Sequence, residues 1–500
     1  MALTRPSSWD TYYAQNFLTD CDLSVLDNND VEILNKQTIK SYSYSGKNSY
    51  VCETYPNEEA TIVVLDWNNL PSATKTYLTT KNNIVKIVYI VGGDGASPKT
   101  MCIDSWELDN KDFSMSIKLK SLLMTLTNKC SVLFGYATYV LNDIATNISM
   151  TINTSNITDF NIKFIPSKIT YGEVLQNIAI TTCCGFKYDD VNNRIDLVAS
   201  PYSYFTFNKK NVYGNIKIRL IEEEKDAIVC GAYKRVGTNV ARTFIGEHTT
   251  YNNRTTTFNL YDNCIDFYMR QTYPASPSIS HLTTTYNDKI VFNPTSVNAV
   301  FNVEAYYVDL EYYQDNDKKT IYSYLLYDND AQKGLVQQYV DSIYAMDKTI
   351  EFECRIDPSI ETLDAIRVDN KMVIVESIDI NFNGGYRGKI RGRYQQKPLP
   401  LISKNLSYAT NSYHIELYNP NPFPITALVY VGSTSVAPLG WTTNAHSTII
   451  IDGNGGFGFT TLYNAFNDKV NGTLTSDITA TAKASLMPPV SDATLILEHD

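Results

Sequence analysis

The sequence predicts a mainly β protein with a few helices, of the α+β class. Three observations carry this. Apolar residues alternate with polar ones over several stretches, as in Val85, Ile87, Tyr89 and Val91, or Ile378, Ile380 and Phe382. Tyr is abundant at 37 residues, and β-branched residues recur throughout, both of which suit pleated, half-buried surfaces. Helical periodicity is confined to short stretches, the clearest at Thr170–Gly185. A chain of 500 residues with 43% apolar content has room for about three packed domains.

The elements follow in order. Trp9, Tyr12, Tyr13 and Phe17 fall at i, i+3, i+4 and i+8, so residues 1–50 open either on a short helix or on an irregular arm that docks on a neighbour. Ala60–Trp67 reads as a strand bounded by Pro56 and Pro71. Ile84–Val91 is another, closed by Gly92-Gly93-Asp94-Gly95 as a hairpin loop. That glycine tract is not a phosphate loop, because no Lys-Ser/Thr pair follows and no helix opens after it. Met101–Trp106 and Phe113–Leu119 are two further strands. Thr170 and Glu173 form a capping box, Tyr171, Val174, Leu175, Ile178 and Ala179 make one face, and Gly185 is expected to stop the helix. A hairpin of Phe186–Tyr188 and Ile195–Leu197 follows.

Glu222-Glu223-Glu224-Lys225 precedes a strand at Ala227–Tyr233. Residues 235–300 read as loop-bearing β structure, and Phe301–Tyr313 as a weakly alternating strand. Gln332–Met346 is a second amphipathic helix, with Leu335, Val336, Tyr339, Val340, Ile343 and Met346 on one side. A three-stranded meander then spans Leu363–Val368, Met372–Phe382 and the strand after Asn383-Gly384-Gly385, with Asp369-Asn370 as its first turn. Its last strand places Arg387, Lys389, Arg391 and Arg393 on one face, as a cationic edge. Lys397-Pro398-Leu399-Pro400 reads as a stiff linker. Strands at Ser412–Tyr418, Ile425–Val431, Thr448–Ile451, Gly456–Thr460 and Thr494–Glu498 then suggest a small immunoglobulin-like β-sandwich.

Charge and motif content narrow the function classes. A net charge of −11 disfavours nonspecific nucleic-acid binding by the whole chain. Nine cysteines, with no Cys-x-x-Cys and none in the last hundred residues, argue for a reducing compartment and against a disulfide framework. The adjacent Cys183-Cys184 is read as buried apolar surface. No apolar leader opens the sequence and no run of about 18 apolar residues crosses it, so neither a signal peptide nor a membrane span is expected. The five histidines show no metal-ligand spacing, and no Gly-x-Ser-x-Gly elbow is present. Carboxylate pairs such as Glu351/Glu353 and Asp309/Glu311 share a strand face, an arrangement common on exposed strands. No catalytic, cofactor or metal site is therefore expected, and no cofactor. The four cations on one face repel one another and want anionic partners; the alternative is a charged edge that resists aggregation. Trp441, Phe457 and Phe459 are the candidate aromatic contacts for a glycan.

Three stretches resemble the hub (tail-associated) proteins at the tip of long-tailed bacteriophages. The string Tyr171-Gly172-Glu173-Val174-Leu175-Gln176-Asn177-Ile178-Ala179, then Cys184-Gly185-Phe186 and a hairpin, is similar to that family's helix-hairpin. Glu53, Pro56, Asp66, Val85, Ile87 and Trp106 occupy places matching its first barrel. Asp364, Ile366, Val368, Gly384 and Gly385 match its closing meander. Gly172 departs from the pattern, at a cost of up to about 1 kcal/mol against Ala in a helix. The resemblance implies an arm and first β-barrel hub domain over 1–130, a helix-hairpin insertion over 131–215, a second β-barrel hub domain over 216–400 and the C-terminal sandwich over 401–500. It implies a non-enzymatic virion protein, assembled in the host cytoplasm as a homotrimeric ring. Its partners would be the tail tube or a distal tail protein, the tape-measure protein and tail fibres or spikes, with DNA only in transit through a gated channel. A receptor-binding adhesin and a tail-bound cell-wall hydrolase are the alternative readings.

Overall fold

A computed structural model describes residues 3, 5–14, 21–49, 55–109, 111–155, 157, 159–198, 204–206, 209–220, 227–235, 241–260, 263–276, 278–279, 282–310, 319–327, 333–334, 336–337, 340, 343, 346, 348–368 and 371–395, and beyond these a set of strands between 402 and 497. The described chain is mainly β, with four continuous helices. Fourteen strands join in one sheet. They are β1 (Cys21–Leu26), β2 (Glu32–Leu34), β3 (Ile39–Lys47), β4 (Asn57–Val64), β5 (Ile84–Val91), β6 (Asp94–Gly95), β7 (Lys99–Asp109), β8 (Ser114–Ser121), β9 (Tyr204–Thr206), β10 (Val212–Leu220), β11 (Lys348–Arg355), β12 (Ala365–Val368), β13 (Lys371–Phe382) and β14 (Tyr386–Gln395). The main path runs β10-β11-β14-β13-β3-β4-β8-β7-β5-β1-β2.

Alternation explains most of these strands. In β5, Val85, Ile87, Tyr89 and Val91 are buried, while Ile84, Lys86, Val88 and Ile90 are only partly so. Gly92 and Gly93 both take positive φ, 64° and 86°, which is the turn that joins β5 to β6 with Val91 opposite Asp94. In β14 the inward positions are Tyr386, Gly388, Ile390 and Gly392. A Cβ on Gly392 would lie 1.9 Å from the Ile374 carbonyl oxygen, so only glycine lets β13 and β14 approach this closely.

The meander belongs to the N-terminal strands. β13 pairs with β3 from Ser377 opposite Lys47 to Phe382 opposite Tyr42. β14, expected as a cationic edge, lies inside the sheet between β11 and β13. The predicted edge is thus a central strand; the sequence shows the charge alternation but not that residues 348–355 cover its far side. The sheet also rolls over. Tyr42, Tyr89 and Tyr386 meet inside it, and one buried core is shared by β1, β3, β4, β5, β7, β8 and the strands from 348 to 395.

A helix and hairpin unit packs beside this sheet. α1 (Ser8–Ala14), α2 (Ser72–Thr79), α3 (Ala137–Ile148) and α4 (Tyr171–Thr181) are the continuous helices. The capping box of α4 forms as read: Glu173 N–H donates to Thr170 Oγ1 at 3.3 Å, and Thr170 N–H donates to Glu173 Oε2 at 2.8 Å. The stop differs. Cys183, with φ 57°, takes the left-handed position, and Gly185 begins the strand Gly185–Asp189. Gly172 has a packing reason, because a Cβ there would sit 2.7 Å from Tyr55 Oη. The hairpin pairs Gly185–Asp189 with Arg194–Val198. Described helical residues between Lys333 and Ile343 add Val336, Val340 and Ile343 to the core around α3 and α4, and Met346 joins the same core just beyond them. Leu335, Tyr339, Asp369-Asn370, Glu222–Lys225 and the 397–400 linker lie outside the described residues.

A second sheet orders Thr243–Thr250, Ala299–Leu310, Ala227–Arg235 and Lys319–Tyr327, with Cys264–Tyr273 also on Ala299–Leu310. The alternation in Ala299–Leu310 changes phase: Phe301, Val303 and Ala305 are buried, but then Val308 is buried and Tyr307 exposed. Beyond residue 401 the strands form three separate small sheets. Ser412–Tyr418 is a strand as read, and Gly456–Thr460 lies outside the described residues.

Candidate functional site

Two polar features stand out on the rolled sheet: an open groove on its outer face and a charge cluster sealed beneath its inner face. Alternation creates both, because each strand sends one set of side chains each way.

The groove has a volume of about 580 Å³. It crosses β11, β14, β13, β3 and β4, and Glu353, Lys389, Arg387, Asp379, Asn381, Ser43 and Glu59 are among its lining residues. Two of the four sequence-predicted cations lie here. Arg387 is exposed, and Lys389 Nζ lies 3.0 Å from Glu351 on β11. Arg391 is exposed on the same face, and Arg393 donates to Glu376 on β13 at 2.7 Å. Two of the four cations thus find carboxylate partners on neighbouring strands of their own chain. The hydrogen bond from Lys389 holds the Glu351 carboxyl below its usual range. A general acid needs the opposite shift.

The sealed cluster was not legible in the sequence. Lys99 at the start of β7 reaches Glu361 at 2.7 Å, Asp190 at 3.0 Å and Glu58 at 3.1 Å. Lys187 of the hairpin lies 2.6 Å from the other oxygen of Glu361. The backbone N–H of Glu361 donates to Asp364 Oδ2 at 2.8 Å, and that of Thr100 to Asp190 Oδ1 at 2.6 Å. All of these side chains are buried. Two ammonium groups thus face four carboxyl groups, which sets the titration. Burial pushes Asp364 up to about 7, against the pull of Lys187. Burial also raises Asp190, with Lys99 opposing. Burial opposes ionisation of Glu361 too, but Lys187 and Lys99 outweigh it and hold this carboxyl below its usual range. Lys99 stays cationic, since its carboxylate partners outweigh its burial. The cluster ties four separate stretches together: β4, β7, the hairpin and the turn before β12.

A third contact set seats α1. Trp9 Nε1 donates to the Asp94 carbonyl at 3.0 Å, Tyr13 Oη to the Ile356 carbonyl at 2.6 Å, and Arg5 pairs with Asp357. The N-terminal residues 8–14 therefore form a helix docked on their own chain. Phe17 lies outside the described residues.

Among the described residues, no group of three His, Cys, Asp or Glu side chains is placed to hold a metal ion. Cys21, Cys102, Cys130, Cys183, Cys184, Cys264 and Cys354 are buried and form no disulfide. Glu353 lines the groove, and Glu311 lies outside the described residues. Trp441 sits on the strand Leu439–Thr443, while Phe457 and Phe459 lie outside the described residues. No described helix is long and apolar enough to cross a membrane.

No family model matches the sequence, and no curated protein does. Solved structures to which this chain is similar include a tail protein from Neisseria meningitidis MC58, at 9% identity and a TM-score of 0.41, covering 75% of this chain and 96% of that one. The tail protein of prophage MuSo2 from Shewanella oneidensis is similar at 8% identity and a TM-score of 0.39, covering 74% and 97%. A type VI secretion system component of E. coli, itself described as similar in structure to T4 bacteriophage tail proteins, matches at 6% identity and a TM-score of 0.33, covering 76% and 85%.

Proposed function

We propose that this chain is a structural component of a phage-type tail, acting as the distal hub where tube and tip meet. One observation carries the reading. The stretch that matches the family's closing meander and the stretch that matches its first barrel are joined by direct strand pairing, β13 to β3, and share one core. The resemblance places the closing meander in a second barrel over 216–400; here it pairs instead with the strands of the first, and the sheet rolls until Tyr386 on β14 reaches the backbone of β1 and β5. The helix-hairpin that carries the longest matching string packs next to it, with Lys187 bonded into the same sheet's charge cluster.

In this reading the protein works by assembly rather than by chemistry. Three copies would form the ring, with Arg387 and Arg391 available to an acidic patch on a neighbouring copy or tail protein. The ring would join the tube to the tip and surround the path of the DNA. The test is antibody labelling of intact particles, together with a deletion of the gene. Labelling at the distal tail end, and particles without tails in the deletion, are the expected results. A chain absent from purified particles, or a deletion that leaves tails complete, overturns the proposal.

A further inference from the structure

We infer that the groove on the outer face binds an extended, basic peptide segment of another protein, one that carries Lys or Arg at every third residue. The inference goes beyond the assembly reading above and does not depend on it.

Strand register lays the groove out as a row of side chains. Tyr213 of β10 stands opposite Glu353 of β11, Glu353 opposite Lys389 of β14, and Lys389 opposite Asp379 of β13. Asp379 then stands opposite Ser45 of β3, and Ser45 opposite Glu59 of β4. All six line the groove. The carboxylates of Glu353, Asp379 and Glu59 thus recur on every second strand. Adjacent strands lie about 4.8 Å apart, so these carboxylates recur at about 10 Å.

The chain leaves this row with an excess of negative charge. Lys389, the ammonium within the row, is turned to Glu351 at 3.0 Å. Lys120 stands opposite Glu59 on β8 but is turned to Asp104 at 2.9 Å. Among the described residues, Glu353, Asp379 and Glu59 make no ion pair. Arg387 is the other cation of the groove, so three carboxylates face one guanidinium that has no carboxylate partner among the described residues. A cationic ligand complements that balance.

The spacing selects the shape of the ligand. A polyproline II segment repeats its side-chain direction every three residues and rises 3.1 Å per residue, so i, i+3 and i+6 lie on one side about 9 Å apart. A β-strand sets its same-side residues about 7 Å apart, out of step with the carboxylates. An α-helix matches at i+7, but with side chains it is about 10–12 Å across. The floor of the groove is two rows of residues, about 7 Å apart along the strands. The second row, Arg387, Asn381, Ser43 and Thr61, runs beside the first. It offers a guanidinium, an amide and hydroxyls to a backbone that makes no hydrogen bonds of its own. At the β10 end, Tyr213 is 45% exposed and presents a flat ring to a proline.

Fluorescence anisotropy tests this with the full-length chain and a labelled peptide of Lys-Pro-Pro repeated four times. Saturable binding that weakens as salt is raised is expected. A peptide of the same composition with its lysines side by side should bind less tightly, and a Glu-Pro-Pro repeat should not bind. Glu353→Gln, Asp379→Asn and Glu59→Gln are each expected to weaken binding by about twofold to fivefold. The triple variant should lose it, with a melting curve like that of the wild type. Tyr213→Ala should weaken binding as well, and Glu107→Gln, outside the groove, should not. No binding of the Lys-Pro-Pro repeat, equal binding of the peptide with clustered lysines, binding of the acidic repeat, or single and triple variants that keep wild-type affinity overturns the inference.

Discussion

The rings of Tyr89 and Tyr386 meet edge to face, with centroids 5.8 Å apart and planes at 83°. Their strands, β5 and β14, are separated along the sheet by β13, β3, β4, β8 and β7. Contact between strands so far apart in the ladder requires the sheet to curl back on itself. Tyr386 Oη fixes the curl, since it donates to the Asp22 carbonyl and accepts the Ile90 N–H at 3.2 Å.

Tyr386→Phe keeps the ring and removes both bonds. The part-buried Asp22 carbonyl and Ile90 N–H then each lose a hydrogen bond, at about 0.5–1.5 kcal/mol apiece. The expected result is a lower urea midpoint with an unchanged slope. A midpoint equal to wild type would show that the hydroxyl does not hold the curl.

Lys99→Met leaves Glu58, Asp190 and Glu361 with one ammonium fewer in a buried site. Breaking a buried ion pair by removing one partner costs about 3–5 kcal/mol. Chemical denaturation should show a loss of that order, and a loss below about 1 kcal/mol would mean that water reaches the cluster.

Asp364 gives the cluster a pH signature. Its folded pKa, about 7, stands above its unfolded value, so the folded state binds this proton more tightly. The stability tied to that proton is complete below the unfolded pKa of about 4 and is lost as the pH rises through 7. Asp364→Asn can still accept the Glu361 N–H and has no proton to lose. Its Tm, compared with wild type, should match near pH 4 and be higher at pH 8. Equal differences at both pH values would place Asp364 outside this titration.

Gly172→Ala sets helix propensity against packing. Alanine gains up to about 1 kcal/mol in a helix, but its Cβ meets Tyr55 Oη at 2.7 Å, and that hydroxyl is anchored on the Leu123 carbonyl at 2.7 Å. Overpacking of this kind costs about 1–3 kcal/mol. A net loss of stability is expected, smaller when Tyr55→Phe removes the anchored oxygen. A stabilised Gly172→Ala protein would contradict the contact.

Local signals were readable wherever one element decides its own structure. The Thr170/Glu173 cap, the burial phase of β5 and the Gly92-Gly93 turn all follow from neighbours within a few residues. What the sequence hid depends on distant partners. The Arg387–Arg393 stripe looks like an edge because alternation cannot say that β11 covers it. Gly185 looks like the helix stop because glycine favours positive φ, yet Cys183 takes that place and frees Gly185 to begin a strand. The Lys99 cluster joins residues 58, 99, 187, 190, 361 and 364, and no local pattern marks such a set. The phase change at Tyr307 is equally invisible to strict alternation.

The pairing of β3 with β13 has a consequence for synthesis. Residues 39–47 leave the ribosome long before residues 371–382 exist, so for most of translation the first half of the protein carries an unfinished border and an open hydrophobic interior. Contacts this far apart in sequence form slowly and leave nascent chains prone to sticking. Fragments that stop short of β14 should therefore collect in inclusion bodies, and soluble production of the N-terminal half should require residues 348–395 supplied alongside it.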